Sequence, residues 1–457
     1  MRAVIVGAGP SGFYAADQLL AAGFEVDLLD SLPTPFGLVR AGVAPDHPKI
    51  KSVTRVYEKT AAKPGFRFFG GIKLGEHVSR AELLERYHVV LYALGSSDDN
   101  RLGIPGEDRP GSYAATSFVA WYNGHPDAAE LRFDLSSRRA VVIGNGNVAI
   151  DVARMLVLHP DELTRTDTAD HAIESFATSK VEEVVLLGRR SPAQAAFTNP
   201  ELRELGDLMR AGVDVDPMDL ELDPHSANWL EQEADATARK NVELLRAYAA
   251  AGPKHASHRV ILRFLRSPVE ILGDGTDGQV TGIRVVKNRI EPSEQGSFRA
   301  VPTGEEEVIE CGLVLRSIGY RGRPVDDIPF DHRRGLIRND GGRVVDEDGH
   351  IQRGEYVVGW IKRGPSGVIG TNKKDATDTI AKVLEDARDQ NLNRAALGDA
   401  ARATALYTER APAAITWVGW QAIDSAERAA GEPHGRPRVK LTRLTDLVAS
   451  ADKSRTE

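Results

Sequence analysis

The chain has 457 residues, 41% of them hydrophobic and 27% charged, with a formal net charge of −8. That balance predicts a folded protein of two or three domains, disfavours nucleic acid as a partner, and contains no apolar run approaching the roughly 18 residues of a membrane span. One cysteine, Cys311, excludes an intrachain disulfide, a Cys-x-x-Cys redox pair and any four-cysteine zinc or iron–sulfur site.

Residues 2–30 read as strand, glycine turn, helix, strand. The apolar run Val4-Ile5-Val6 enters Gly7-Ala8-Gly9-Pro10-Ser11-Gly12, a helix over 11–22 stops at Gly23, and the next strand ends on Asp30. No signal or transit segment is read ahead of this strand, so a cytoplasmic protein without membrane contact is expected. Residues 31–50 are loop, punctuated by Pro33, Pro35, Pro45 and Pro48. A basic helix over 50–62, short strands over 66–78, a short helix over 81–86 and a buried strand over 89–95 follow. Residues 103–107 read as a crossing linker.

Residues 139–190 form a second strand–turn–helix–strand unit, in which Val141-Val142-Ile143 enters Gly144-Asn145-Gly146-Asn147-Val148-Ala149. From Gly144 to Arg189 this unit is more than twice the roughly 20 residues of the standard one, so residues 155–180 must lengthen the helix or add a loop. Residues 200–250 are helix-rich, and 258–318 alternate short strands with turns; Cys311 lies in an apolar run there and reads as a core thiol. After 325 the chain returns to the first domain with a strand over 355–360, a glycine-rich turn over 364–370 and a helix over 372–387. The expected division is 1–102 and 325–457 for one domain and 103–324 for the other.

The two glycine turns share a chemistry. The first glycine permits the tight turn, the second lets backbone approach a pyrophosphate, and the third (Gly12, or Ala149 in its place) lets helix pack on strand. The helix N-terminus then offers N–H groups and positive dipole to phosphate. Downstream they differ. Asp30 is an acid about twenty residues on, where it would accept hydrogen bonds from a ribose bearing a free 2′-hydroxyl. The second unit ends instead in Gly188-Arg189-Arg190, and guanidinium suits a ribose 2′-phosphate. Two different dinucleotides in one chain, with hydride transfer between them, are expected, the second being NADP.

Longer strings carry a family resemblance. Leu32-Pro33-Thr34-Pro35-Phe36-Gly37-Leu38-Val39-Arg40-Ala41-Gly42-Val43-Ala44-Pro45-Asp46-His47-Pro48-Lys49, the second glycine turn, Gly188-Arg189-Arg190, and Gly359-Trp360-Ile361-Lys362-Arg363-Gly364-Pro365-Ser366-Gly367-Val368-Ile369-Gly370-Thr371-Asn372-Lys373-Lys374 are involved. Over nearly its whole length the chain resembles the adrenodoxin reductase family of NADPH–ferredoxin reductases, its actinobacterial members above all. The resemblance implies an α/β, two-domain FAD/NAD(P)-binding fold like that of glutathione reductase, with FAD on the domain made from both chain ends and NADP(H) on the middle one. It implies FAD contacts at Ser11, Asp30, Leu38, Leu74, Trp360, Gly367, Val368 and Ile369, beside Gly7, Gly9 and Gly12. NADP contacts fall on Asn145, Gly146, Asn147, Val148, Arg189, Arg190 and Glu201, with Gly367 near the nicotinamide. An arginine contact of the actinobacterial members falls at Asn100, with Arg101 next to it. His47 and Glu204 match the pair that orients the nicotinamide and handles the flavin proton.

The activity so implied is hydride transfer from NADPH to FAD, then single-electron transfer to a ferredoxin. Lys49, Lys51, Arg55, Lys59 and Lys63 form a basic run in an acidic chain, a candidate dock for an acidic ferredoxin, to which Lys362, Arg363, Lys373 and Lys374 could add. The alternatives are an FAD-dependent NADPH diaphorase, a flavin monooxygenase, an electron-input module for another acceptor and a non-catalytic redox sensor.

Overall fold

The computed structural model describes residues 1–252, 254–275, 278–293, 298–367, 369–393 and 400–452. It divides into two compact units, one of residues 1–100 with 319–457 and the other of residues 101–318. The first unit closes on itself where the Asn100 amide donates to the Gly319 carbonyl at 3.1 Å.

The first unit is built on an eight-stranded sheet. Its centre is parallel, in the order Ile351–Val357, Val89–Tyr92, Arg2–Val6, Glu25–Asp30, Phe66–Gly70. Strands covered on both faces need near-continuous apolar sequence, and Arg2–Val6 and Val89–Tyr92 are buried throughout. The strand order reverses at Arg2–Val6, where chain leaves toward either side of the sheet. That reversal opens a crevice at the carboxyl ends of the strands. Gly7, Asp30, Ala93 and Gly359 all lie just at or beyond those ends.

Helices Pro10–Ala21 and Ile369–Arg388 pack against the core on one face. The basic segment expected as one helix is two, Pro48–Lys51 and Thr54–Ala61, because Pro48 starts a turn that ends at Ser52. The C-terminal segment adds the edge strand Ile415–Thr416, antiparallel to Phe66–Gly70, and helix Trp417–Gly431. That helix reaches the proline-rich loop through Glu427, almost fully buried, whose carboxylate accepts from Arg40 at 2.9 Å and from Arg438 at 3.2 Å. Burial alone would push the Glu427 carboxyl up; the two guanidinium groups outweigh it and hold it down.

The second unit carries a six-stranded sheet in the order Ser112–Ala114, Leu313–Arg316, Arg139–Ile143, Glu183–Leu187, His258–Arg263, Ala211–Val215. Its expected enlargement is resolved by added helices, Pro160–Leu163 and Asp170–Ala177, rather than by a longer first helix, which ends at Val157. Between 200 and 250 the expected helices surround an unexpected strand, Ala211–Val215. The strands after 265 are not all short: Val280–Pro292 and Phe298–Glu310 have 13 residues each and form a three-stranded antiparallel sheet with Arg266–Gly273. Cys311 is buried in the core, and burial pushes its thiol up to about 12, so it is no nucleophile. No helix among the described residues is long and apolar enough to cross a membrane.

Candidate functional site

In the first unit, Gly7 and Gly12 are glycine because the protein leaves no room. Gly7 has φ +113°, and a Cβ there would lie 2.3 Å from the Ala93 carbonyl oxygen. A Cβ on Gly12 would lie 2.1 Å from the Gly7 carbonyl oxygen. Gly9 is different. Its backbone is extended, φ −82° and ψ −175°, which any residue adopts, and among the described residues nothing beyond its chain neighbours lies within 4 Å of the position its Cβ would take. The protein alone gives no reason for glycine at 9. A cradle kept open for another molecule does, and it sits at the N-terminus of a helix whose cap has no side-chain acceptor.

Asp30 closes the loop from the neighbouring strand. Its Oδ2 accepts from the Ala8 amide at 2.7 Å and its Oδ1 from the Leu32 amide at 2.9 Å. Burial outweighs these bonds and raises the carboxyl to about 6. The acid therefore holds its proton in the folded chain at pH values where the unfolded chain, near 3.9, has lost it. The associated stability is fully present below about pH 4 and is lost as pH rises through 6. In flavin-free protein, urea unfolding compared with Asp30→Asn should show this as a difference of up to about 3 kcal/mol growing between pH 4 and pH 7.

The proline-rich loop lies on the glycine turn. The Phe36 amide donates to the Ala8 carbonyl at 2.8 Å, and a Cβ on Gly37 would come 3.1 Å from the Gly9 Cα. Phe36 has φ +84°, a strained conformation for an aromatic residue, and its ring is held among Phe13, Tyr57, Trp417 and Trp420. Leu38 follows, 47% exposed. His47 is buried at the start of helix Pro48–Lys51, with Nε2 3.9 Å from the Asp46 carboxylate. Leu74 is buried in the core beside Ile72 and Val78.

Beyond strand Ile351–Val357, Gly359 has φ +77° and its missing Cβ would lie 2.4 Å from the Ser11 Oγ, so this turn rests on the first helix. Asp375 fixes it, accepting from the Gly359 amide at 2.6 Å and pairing with Lys362 at 2.9 Å. Trp360 stacks on Tyr320 with ring centroids 5.9 Å apart, and its buried Nε1 has no hydrogen-bond partner among the described residues. The Ser96 Oγ, in the loop after strand Val89–Tyr92, is likewise buried without a partner among them. Gly367 has φ +80°, and a Cβ there would lie 2.5 Å from the Thr371 Oγ1, while Ile369 begins the long helix, three residues before the expected start. Val368 lies outside the described residues. Two buried donors and an open glycine along one sheet edge fit a polar, elongated molecule such as FAD.

The second unit repeats the turn. Gly144 has φ +139°, with its Cβ position 2.1 Å from the Ser317 carbonyl oxygen, while Gly146 is extended, φ −101° and ψ 178°, with nothing within 4 Å. Ala149 is fully buried in the third position, and Val148 packs beside it on the core. The Asn147 Oδ1 accepts from the Thr198 amide at 2.8 Å, and the Asn145 carbonyl accepts from the Ala196 amide at 3.0 Å. Helix Asn199–Asp207 places Glu201 and Glu204 on buried Arg154: Glu204 is bonded to it, and Glu201 lies 3.9 Å away. Arg101 is engaged by Glu107 at 3.5 Å and by Asp108, while Asn100 stands in the first unit beside Gly319.

Arg189 and Arg190 follow strand Glu183–Leu187. Arg189 is exposed and Arg190 partly buried, and neither side chain has an ion-pair or hydrogen-bond partner among the described residues. Burial and the Arg189 charge both push the Arg190 guanidinium down. Nearby arginines are neutralised: Arg263 and Arg266 share Asp219 and Glu307. Two adjacent guanidinium groups without a counter-charge are the electrostatics of an anion site, and a 2′-phosphate fits it.

Comparison with known proteins shows the family. The family described as Pyridine nucleotide-disulphide oxidoreductase matches residues 1–214. The NADPH-ferredoxin reductase FprA of Mycobacterium leprae is 50% identical over 454 residues, covering 97% of each chain. The chain belongs to the NADPH–ferredoxin reductase family. The mitochondrial NADPH:adrenodoxin oxidoreductase of Arabidopsis thaliana is 40% identical, covering 99% of this chain and 95% of its own. A solved NADPH–ferredoxin reductase structure, Mycobacterium tuberculosis FprA in complex with NADPH, superposes with a TM-score of 0.92 at 48% identity, covering 98% of this chain and 99% of that one.

Proposed function

We infer that the protein is an FAD-dependent NADPH–ferredoxin oxidoreductase. The observation that carries the reading is the pair of glycines, Gly9 and Gly146, whose missing side chains the protein itself does not require, combined with Arg189 and Arg190, which have no partner among the described residues, after the second turn. Bound FAD would supply the redox chemistry, taking a hydride from NADPH and releasing electrons one at a time to an iron–sulfur carrier. The chain's own residues bind and orient. Gly7, Gly9, Ser11, Gly12 and Asp30 hold the FAD pyrophosphate and ribose, and Leu38, Leu74, Trp360, Gly367 and Ile369 serve its ring end. Asn145, Gly146, Asn147, Val148, Glu201, Arg189 and Arg190 hold NADPH. His47 and Glu204 orient the nicotinamide, with the His47 imidazole able to hold the proton of the flavin.

The partner is a ferredoxin-type carrier, and the dock is proposed at Lys49, Lys51, Arg55 and Lys59. Helix Thr54–Ala61 supports this: Tyr57 and Ala61 face the core while Arg55 and Lys59 are exposed one turn apart, and Lys49 is exposed just before. Lys63 pairs with Asp17, and Lys362 and Arg363 are tied to Asp375, so they do not belong to the dock; Lys373 and Lys374 are exposed. Reversing the charge of Lys49, Arg55 and Lys59 together should raise KM for ferredoxin about tenfold at low salt and flatten its salt dependence, read by stopped-flow reduction. The function is tested by cytochrome c reduction with NADPH, with and without acidic ferredoxins, across ionic strength. Stimulation that weakens with salt is expected; no stimulation by any ferredoxin overturns the partner.

A further inference from the structure

Four hydrogen bonds hold the backbone of Gly188, Arg189 and Arg190, three of them from backbone and one from a side chain. The Gly188 amide donates to the Arg263 carbonyl at 2.8 Å. In return, the Gly188 carbonyl accepts from the Arg266 amide at 3.0 Å and the Arg190 carbonyl from the Leu265 amide at 3.1 Å. The remaining carbonyl, that of Arg189, accepts from a side chain: Asn288 Nδ2, at 2.8 Å. The same amide donates to the Ser267 Oγ at 2.8 Å, and the Asn288 backbone N–H donates to the Leu265 carbonyl at 2.8 Å.

Asn288 is 2% exposed, on strand Val280–Pro292, where the register with Phe298–Glu310 shifts between Val286 and Asn288. The residue it steadies from behind, Leu265, has φ +54°, a conformation costing a leucine about 1–3 kcal/mol unless its surroundings enforce it. The inserted three-stranded sheet thus sends one buried amide back to the carbonyl of Arg189 and one backbone N–H to the strained residue beside Arg190. Two like charges on adjacent residues repel, and a turn left to itself would swing them apart. Fixed at its carbonyls, the turn keeps both groups aimed at one anion.

We propose that Asn288 is a positioning residue for the ribose 2′-phosphate, holding the Arg189–Arg190 turn in the conformation that selects a phosphorylated dinucleotide. The proposal rests on the reading of Arg189 and Arg190 as the 2′-phosphate ligands. Binding of 2′,5′-ADP and of 5′-AMP to the flavin-loaded protein, measured by calorimetry, separates the two ideas, because only the first probe carries the 2′-phosphate. Asn288→Ala should raise Kd for 2′,5′-ADP roughly tenfold while 5′-AMP stays within about twofold, and the rise in the NADPH reaction should fall on KM rather than kcat. Asn288→Asp keeps the shape but cannot donate to the Arg189 carbonyl, and should lose 2′,5′-ADP affinity likewise if the alanine variant does not fold. A folded variant that binds 2′,5′-ADP as the parent does, or one that weakens for both probes equally, overturns the role of Asn288. If Arg189→Ala with Arg190→Ala also leaves 2′,5′-ADP binding unchanged, the 2′-phosphate reading itself fails.

Discussion

Replacing Arg189 and Arg190 together by alanine is expected to lower kcat/KM for NADPH about 10²–10³-fold and to leave NADH within a few-fold of its starting value. The magnitude follows from the bonds at stake. A charge-assisted hydrogen bond contributes about 1.5–3 kcal/mol, and two guanidinium groups facing one phosphate place roughly 3–4 kcal/mol in this contact. None of that energy is spent within the protein, because neither side chain has a partner among the described residues. The substitution also removes a partly buried charge whose guanidinium is pushed down first by burial and then by the Arg189 charge, so the variant should melt no lower than the parent. Steady-state kinetics with both nucleotides, alongside thermal unfolding, separates a lost ligand from a damaged fold. Equal losses for NADPH and NADH would assign the arginines elsewhere.

Valine at Gly9 should produce a protein that folds and is colourless. The φ and ψ of Gly9 suit a β-branched residue, and among the described residues no atom beyond its chain neighbours lies within 4 Å of the new Cβ, so little stability should be lost in the flavin-free chain. The branched side chain would occupy the space through which backbone N–H groups reach a pyrophosphate, and FAD affinity should fall by at least about 10³-fold. Gly146→Val is the matched experiment in the other unit: flavin is retained, and KM for NADPH rises by a comparable factor. Gly7→Ala and Gly12→Ala make the contrast. There the methyl group meets a carbonyl oxygen at 2.3 and 2.1 Å, and the loss should appear as unfolding, by about 3 kcal/mol or more. Flavin absorbance after gel filtration and circular dichroism read the two kinds of failure apart.

What was legible in the sequence was local. A glycine turn, its flanking apolar run and the charge at the next strand end lie within one strand–helix–strand unit, so a single pattern reports them; Asp30 and Arg189 both stand where that pattern places them. What was not legible depends on partners far along the chain. The bond from Asn288 to the Arg189 carbonyl spans 99 residues, and that from Arg40 to Glu427 spans 387. Nothing about an asparagine in a long strand, or a glutamate in an amphipathic helix, marks such a role before the fold brings the partner near. Strand Ala211–Val215 was hidden for another reason. Five residues including a glycine, between helices, have too little periodicity to declare themselves, and only pairing with His258–Arg263 makes them a strand. The interruption of the helix at Ser52 and Val53 shows local chemistry overruled in detail: the basic run is helical on both sides, and the short turn started by Pro48 separates the pieces.

We infer that one chain holds FAD at the turn closed by Asp30 and NADPH at the turn followed by Arg189 and Arg190, and passes the electrons to a ferredoxin. Anaerobic mixing of the purified protein, first with NADPH and then with oxidised ferredoxin, tests it in one cuvette. The expected result is a visible flavin band that NADPH bleaches much faster than the same concentration of NADH, and that oxidised ferredoxin restores. A colourless protein, or a flavin band that NADPH leaves unchanged, would contradict it.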